Sequence, residues 1–168
     1  MATYVQIATV TVTAAGGQAA IDFTSIPSTY TDLLIKLSAR STSTSIGLVL
    51  KPNGSTSSIS ARHIEGAGSG NAISYTSTNI AGYMTPSTAT TSTFGNTEIY
   101  IPNYAGSTNK SISSDSVTEN NATAAYGLLT AWLWSNTAAI TSISLTSDSG
   151  TNNFAQHSTA TLYGISKS

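Results

Sequence analysis

Apolar and polar positions alternate along most of this chain with a period of two. Ile46, Leu48 and Leu50 alternate with Gly47 and Val49 ahead of Pro52-Asn53-Gly54. Leu33, Ile35 and Leu37 share one face of an earlier segment, with Lys36 and Arg40 on the other. Ile59, Ala61 and His63 interleave with Ser58, Ser60 and Arg62, and Thr97, Ile99 and Ile101 with Glu98 and Tyr100. Tyr126, Leu128, Trp132 and Trp134 fall on one parity, Ile143 and Leu145 continue the pattern, and Tyr163 and Ile165 oppose Leu162. Successive strand side chains point to opposite faces, so this spacing predicts half-buried β-strands. Near the N-terminus the phase changes: Val5 and Ile7 are odd, Val10 and Val12 even. A β-bulge near Ala8-Thr9 would keep both pairs on one face.

Turn-forming clusters separate the segments: Ala14-Gly17, Pro27-Thr29, Pro52-Gly54, Gly66-Asn71, Thr85-Thr93, Pro102-Asn109, Asn120-Asn121, Asn136-Ala138 and Asp148-Asn153. No convincing stretch of helical period interrupts them. The expected fold is all-β, an antiparallel β-sandwich of jelly-roll type with about eight to ten short strands. Residues 1–168 read as one sandwich domain, with the N-terminal strand 1–13 a candidate for exchange with, or packing on, a neighbouring subunit.

Composition sharpens this picture. Serine and threonine number 28 each, a third of the chain, while charged residues make up 8 % and the net charge is −1. Threonine is stiff and β-branched, so a strand row of Thr and Ser stays soluble without charge. Leu, Ile, Val and Phe supply about a fifth of the residues, a lean core that points to burial between subunits. Low charge also limits repulsion between copies. Six scattered basic residues offer no patch for phosphates, which argues against nucleic acid. The apolar stretch from Ala124 to Trp134 is too short to span a bilayer, and no secretory signal is expected at the N-terminus. Without cysteine there is no disulfide framework and no thiolate zinc site.

Candidate chemistry is sparse. Asp115 and Glu119 share a parity, and read best as a solvated strand face rather than a catalytic pair. His63 and Glu65 also share a parity, so they could reach one cation, although a surface cross-strand pair is the plainer reading. No G-x-S-x-G elbow marks a nucleophile among the serines. Gly66-Asn71 lacks phosphate-loop spacing and reads as a hairpin loop. No catalytic, cofactor-binding or metal-ligating residue is therefore expected. Trp132, Trp134, Tyr100 and Tyr104 are the candidates for a glycan platform or a subunit contact, with the core as the competing place for the tryptophans.

Three passages resemble a group of tailed-phage virion proteins. Phe23-Thr24-Ser25-Ile26-Pro27-Ser28-Thr29-Tyr30-Thr31-Asp32-Leu33-Leu34-Ile35 resembles their "F-x-x-I-P-x-T-Y-x-D-L" opening, and Leu50-Lys51-Pro52-Asn53-Gly54-Ser55 their next strand and "N-G" turn. Ser158 to Lys167 resembles their closing "T-x-x-L-Y-G-I-x" strand. The group, several of its members from phages of cyanobacteria and marine bacteria, implies a non-enzymatic virion role without cofactor. Capsid decoration (cement) by a homo-oligomer, a trimer in the simplest case, bound to the major capsid protein is the leading expectation. The alternative is a tail-fibre or spike component that contacts other tail proteins or a host surface glycan. Either implies residence in the virion after assembly in a bacterial host's cytoplasm, with neither nucleic acid nor membrane as partner.

Overall fold

The computed structural model describes residues 2–68, 70–119, 121 and 125–166. Met1, Ser69, Asn120, Ala122, Thr123, Ala124 and Lys167, which figure in the expectations above, lie outside them. Twelve strands and no helix occur among the described residues: β1 (Thr3–Thr11), β2 (Ala20–Phe23), β3 (Asp32–Ala39), β4 (Gly47–Pro52), β5 (Ile59–Gly66), β6 (Ile73–Ser77), β7 (Ile80–Tyr83), β8 (Gly95–Ile101), β9 (Lys110–Val117), β10 (Gly127–Trp134), β11 (Ile143–Ser147) and β12 (Thr159–Ser166). All pair antiparallel, in an eight-stranded sheet of order β1-β12-β3-β8-β9-β10-β5-β6 and a four-stranded sheet of order β2-β11-β4-β7.

The expected sandwich is present, with more strands than the alternation suggests. β2 and β7 hold four residues each and β6 five, too short to display a period. β9 is long, but its inward positions after Lys110 are Ile112, Ser114 and Ser116, so hydroxyls stand where the pattern asks for aliphatics. The N-terminal bulge is found between Gln6 and Ala8, slightly earlier than the change of parity. Ile7, Ala8 and Val10 then pack against the core, while Val5 stays 38 % exposed.

The core lies between the sheets. The large sheet contributes Leu33, Ile35, Leu37, Ile99, Ile101, Ile112, Trp132, Trp134 and Leu162. The small sheet answers with Ile21, Phe23, Leu48, Leu50, Ile143 and Leu145. Four strands cannot cover eight, since each adds only about 4.8 Å of width. Loop residues Ile26, Met84, Tyr104, Ile140 and Phe154 extend the cover. Only one face of the large sheet receives this cover. Its other face is turned away from the small sheet.

Candidate functional site

Ser and Thr do not form only a solvent-facing coat, as their abundance suggests. Thr97, Ser114, Ser116 and Thr130 are buried on the inner face of the large sheet. Ser116 Oγ bonds Thr97 Oγ1 at 2.7 Å and accepts from the Tyr83 backbone N–H at 2.9 Å, and Ser114 Oγ donates to the Ala81 carbonyl. Gly82 lets β7 come this close, because a Cβ there would lie 3.0 Å from Thr97 Cγ2 and 3.2 Å from Ser116 Oγ. Where β7 crosses β8 and β9, then, the two sheets are joined by the short hydroxyls of Thr97, Ser114 and Ser116. Each of these four hydroxyls finds a partner, Thr130 in the His63 ring, whereas the buried hydroxyls of Thr85 and Thr146 have none among the described residues.

His63 and Glu65 continue this seam at the far side of the sheet. The expected surface pair is overturned: both side chains are buried, because the parity they share with Ala61 is the inner face of β5. Glu65 Oε2 accepts from Tyr75 Oη on β6 at 2.9 Å and from Tyr83 Oη on β7 at 2.8 Å. His63 Nδ1 meets Thr130 Oγ1 at 3.0 Å and Nε2 meets Ser77 Oγ at 2.8 Å, while the ring stacks on Tyr75 with centroids 4.6 Å apart. Tyr126 closes edge-on against Tyr83. Burial pushes the His63 imidazole below its ordinary pKa, with Glu65 opposing, and pushes Tyr75 up to about 12 and Tyr83 higher still. A neutral imidazole and a carboxylate held by two phenols make a clamp: β5, β6 and β7 are tied by side chains where apolar cover has run out.

Two cations organise the long loops. Arg40 donates from Nη1 to the Thr90 and Thr93 carbonyls and from Nη2 to those of Ser87 and Ala89, all within 2.9–3.0 Å. Lys110, fully buried, donates from Nζ to the Gly106 carbonyl at 2.8 Å and to that of Thr108, and burial lowers its pKa. One guanidinium thus shapes the β7–β8 loop and one ammonium the β8–β9 loop. Nothing in the spacing of Arg40 or Lys110 signals this, because their acceptors are backbone carbonyls.

The first and third of the passages that carry the phage resemblance come together in space. β3 pairs with β12, so Leu33 lies opposite Gly164 and Asp32 opposite Ile165. The Tyr30 ring covers Gly164, where a Cβ would fall 2.3 Å from Tyr30 Cγ. Asp32 accepts from Tyr100 Oη and from the Asn103 N–H, each at 2.9 Å, while Tyr104 Oη donates to the Pro27 carbonyl. In the second passage Asn53, in left-handed backbone with φ 50°, accepts from the Thr141 and Ser142 N–H groups and donates to the Ala139 carbonyl. These motif residues close the fold on itself.

Of the four candidate contact aromatics, three are interior: Trp132 is 1 % exposed, Trp134 2 % and Tyr104 0 %. They fall on the inward parity of β10 and under the β8–β9 loop, so no aromatic platform forms from them. Only Tyr100, 37 % exposed, reaches the surface, on the outer face of the large sheet. That face collects other apolar side chains. Register places Ile64, Leu129, Asp115, Glu98 and Lys36 in one row across β5, β10, β9, β8 and β3. The adjacent row runs Arg62, Ala131, Ser113, Tyr100, Leu34 and Tyr163. Ile64 and Leu129 are 58 % and 55 % exposed. Leu129 and Ala131 form a ridge between two grooves of about 370 and 360 Å³, one lined by Arg62, Ile64, Ser74 and Thr76, the other by Tyr100, Pro102, Ser111 and Ser113. The sequence misses this surface because β10 carries apolar residues on both parities, Leu129, Ala131 and Leu133 outward and Leu128, Trp132 and Trp134 inward, which blurs the alternation. Asp115 and Glu119 are both exposed, and Asp115 belongs to the outer face.

No protein-family model matches this chain, and no curated protein matches it either.

Proposed function

We propose that the chain is a structural protein of a tailed-phage virion, a head decoration protein that binds the capsid surface as a homo-oligomer and stabilises it. The observation that carries this reading is the outer face of the eight-stranded sheet, wide, with Lys36 and Arg62 balancing Glu98 and Asp115, and holding Ile64, Leu129 and Tyr100 in the open. Exposed apolar groups gathered on one face mark an interaction surface. The low net charge, the hydroxyl-rich strands and the three passages resembling virion proteins support the same assignment. Such a role requires no reaction. It requires a rigid tile with a defined contact face, and the clamped loops and hydroxyl seam make the body rigid.

Purified protein mixed with expanded, empty heads of the phage that encodes it is expected to bind saturably and to raise the temperature at which the heads rupture. Absence of binding, with the protein folded, removes decoration. A tail-fibre or receptor-binding role draws on one specific feature, the groove beside exposed Tyr100. A glycan array and host-cell adsorption test that reading, and Tyr100→Ala is then expected to weaken adhesion without unfolding the protein.

A further inference from the structure

We propose that two copies of this chain pack face to face through the outer surface of the eight-stranded sheet, each Arg62 set against the partner's Asp115. The inference rests on the homo-oligomer reading above: it gives this face to a second copy, makes a pair rather than the expected trimer the unit, and leaves head contact to the surfaces that stay outside the pair. The first argument is the apolar strip. Leu129 and Ala131 run between the two grooves, with Ile64 beside Leu129. A two-fold contact centred on this strip covers the apolar side chains of both copies at once.

Charge gives the register. Arg62 lies opposite Ala131 on one side of β10, and Asp115 opposite Leu129 on the other side, one row away. The two are therefore related through a point midway between Leu129 and Ala131. A two-fold axis in the plane of the interface, passing over that point and oblique to the strands, exchanges their positions. Each Arg62 then meets the partner's Asp115, and each Ile64 comes over the partner's Leu129. On the same face Lys36 and Glu98 already pair at 2.9 Å, whereas Arg62 and Asp115 have no salt bridge among the described residues. Two unpaired charges of opposite sign, diagonal across an apolar ridge, suit a self-paired interface.

Size agrees. The strands β6, β5, β10, β9 and β8, at about 4.8 Å spacing and about 3.3 Å per residue, present a face on the order of 600 Å². Stable pairs bury about 600–1,000 Å² per partner, so the whole of this face must be covered.

The test is sedimentation of the intact chain over a range of concentrations, with circular dichroism as the check on folding. Arg62→Asp and Asp115→Arg are each expected to raise the dissociation constant about tenfold or more. The double charge swap is expected to restore it, and Leu129→Asp to abolish association. All three positions are exposed, so the variants are expected to fold. A monomeric wild type at every concentration overturns the proposal, as does an oligomer indifferent to these changes or a double swap that rescues nothing. If Leu129→Asp removes head binding but spares self-association, the face belongs to the capsid: pairing is then refuted while decoration stands. If self-association follows the charge swap and heads are never bound, pairing stands and decoration falls.

Discussion

At Gly164 a methyl group has no room, because the Tyr30 ring occupies the place a Cβ would take. Gly164→Ala is expected to cost about 1–3 kcal/mol by overpacking, read as a lowered denaturation midpoint. Gly127→Ala, where nothing lies within 4 Å, is the matched control and is expected to be near neutral. Trp132 gives a second contrast. Its indole N–H has no acceptor among the described residues, so Trp132→Phe loses volume but no hydrogen bond. Trp132→Ala, by comparison, is expected to cost about 3–5 kcal/mol. His63 adds a pH dependence of fixed sign. Its folded pKa lies below 6.5, so the unfolded chain binds the proton more readily. The stability it contributes is complete above pH 6.5 and falls as the pH drops through the folded value. Thermal melts at pH 7 and pH 5 are expected to differ less in His63→Gln than in the wild type. Tyr75 has the opposite dependence: with its pKa raised from 10 to about 12, its contribution is lost between those values as the pH rises.

Among the elements, those with alternating aliphatics were legible before any coordinates. β3, β8, β10 and β12 declare themselves because Leu37, Ile99, Trp132 and Leu162 alternate with polar or less buried neighbours. β9 and β7 were not, since their contact is built from Ser114, Ser116 and Gly82, residues that read as turn or coat until a second strand is laid over them. The His63–Glu65 spacing was visible, but the depth was not, because the phenols that cover Glu65 come from two other strands. That clamp matters most for β6, an edge strand held in the sheet by β5 alone. Glu65→Ala is expected to raise amide exchange in β6 and β7 well above that in β3, measured by hydrogen-exchange mass spectrometry. Arg40→Ala leaves four carbonyls of the β7–β8 loop without their donor. The expected result is faster proteolysis between Thr85 and Thr93 and a loss of about 1–3 kcal/mol. Lysine at this position cannot satisfy the same fork of acceptors.

In the molecule as a whole, the N-terminal strand finds its sheet partner in the last one. β1 is bonded only to β12, and β12 stands between β1 and β3. A ribosome making this chain therefore exposes β1 and one edge of β3 for the whole time needed to add the residues up to Thr159. The large sheet cannot be completed piece by piece during translation, and its closure waits on β12, an eight-residue strand made after the other strands it joins. Such late, distant pairing makes folding slow and leaves the nascent chain open to strand pairing with its neighbours on a polysome. A chain cut after Ser158 is expected to accumulate as insoluble material, and the same fragment supplied with a peptide of residues 159–166 to recover solubility.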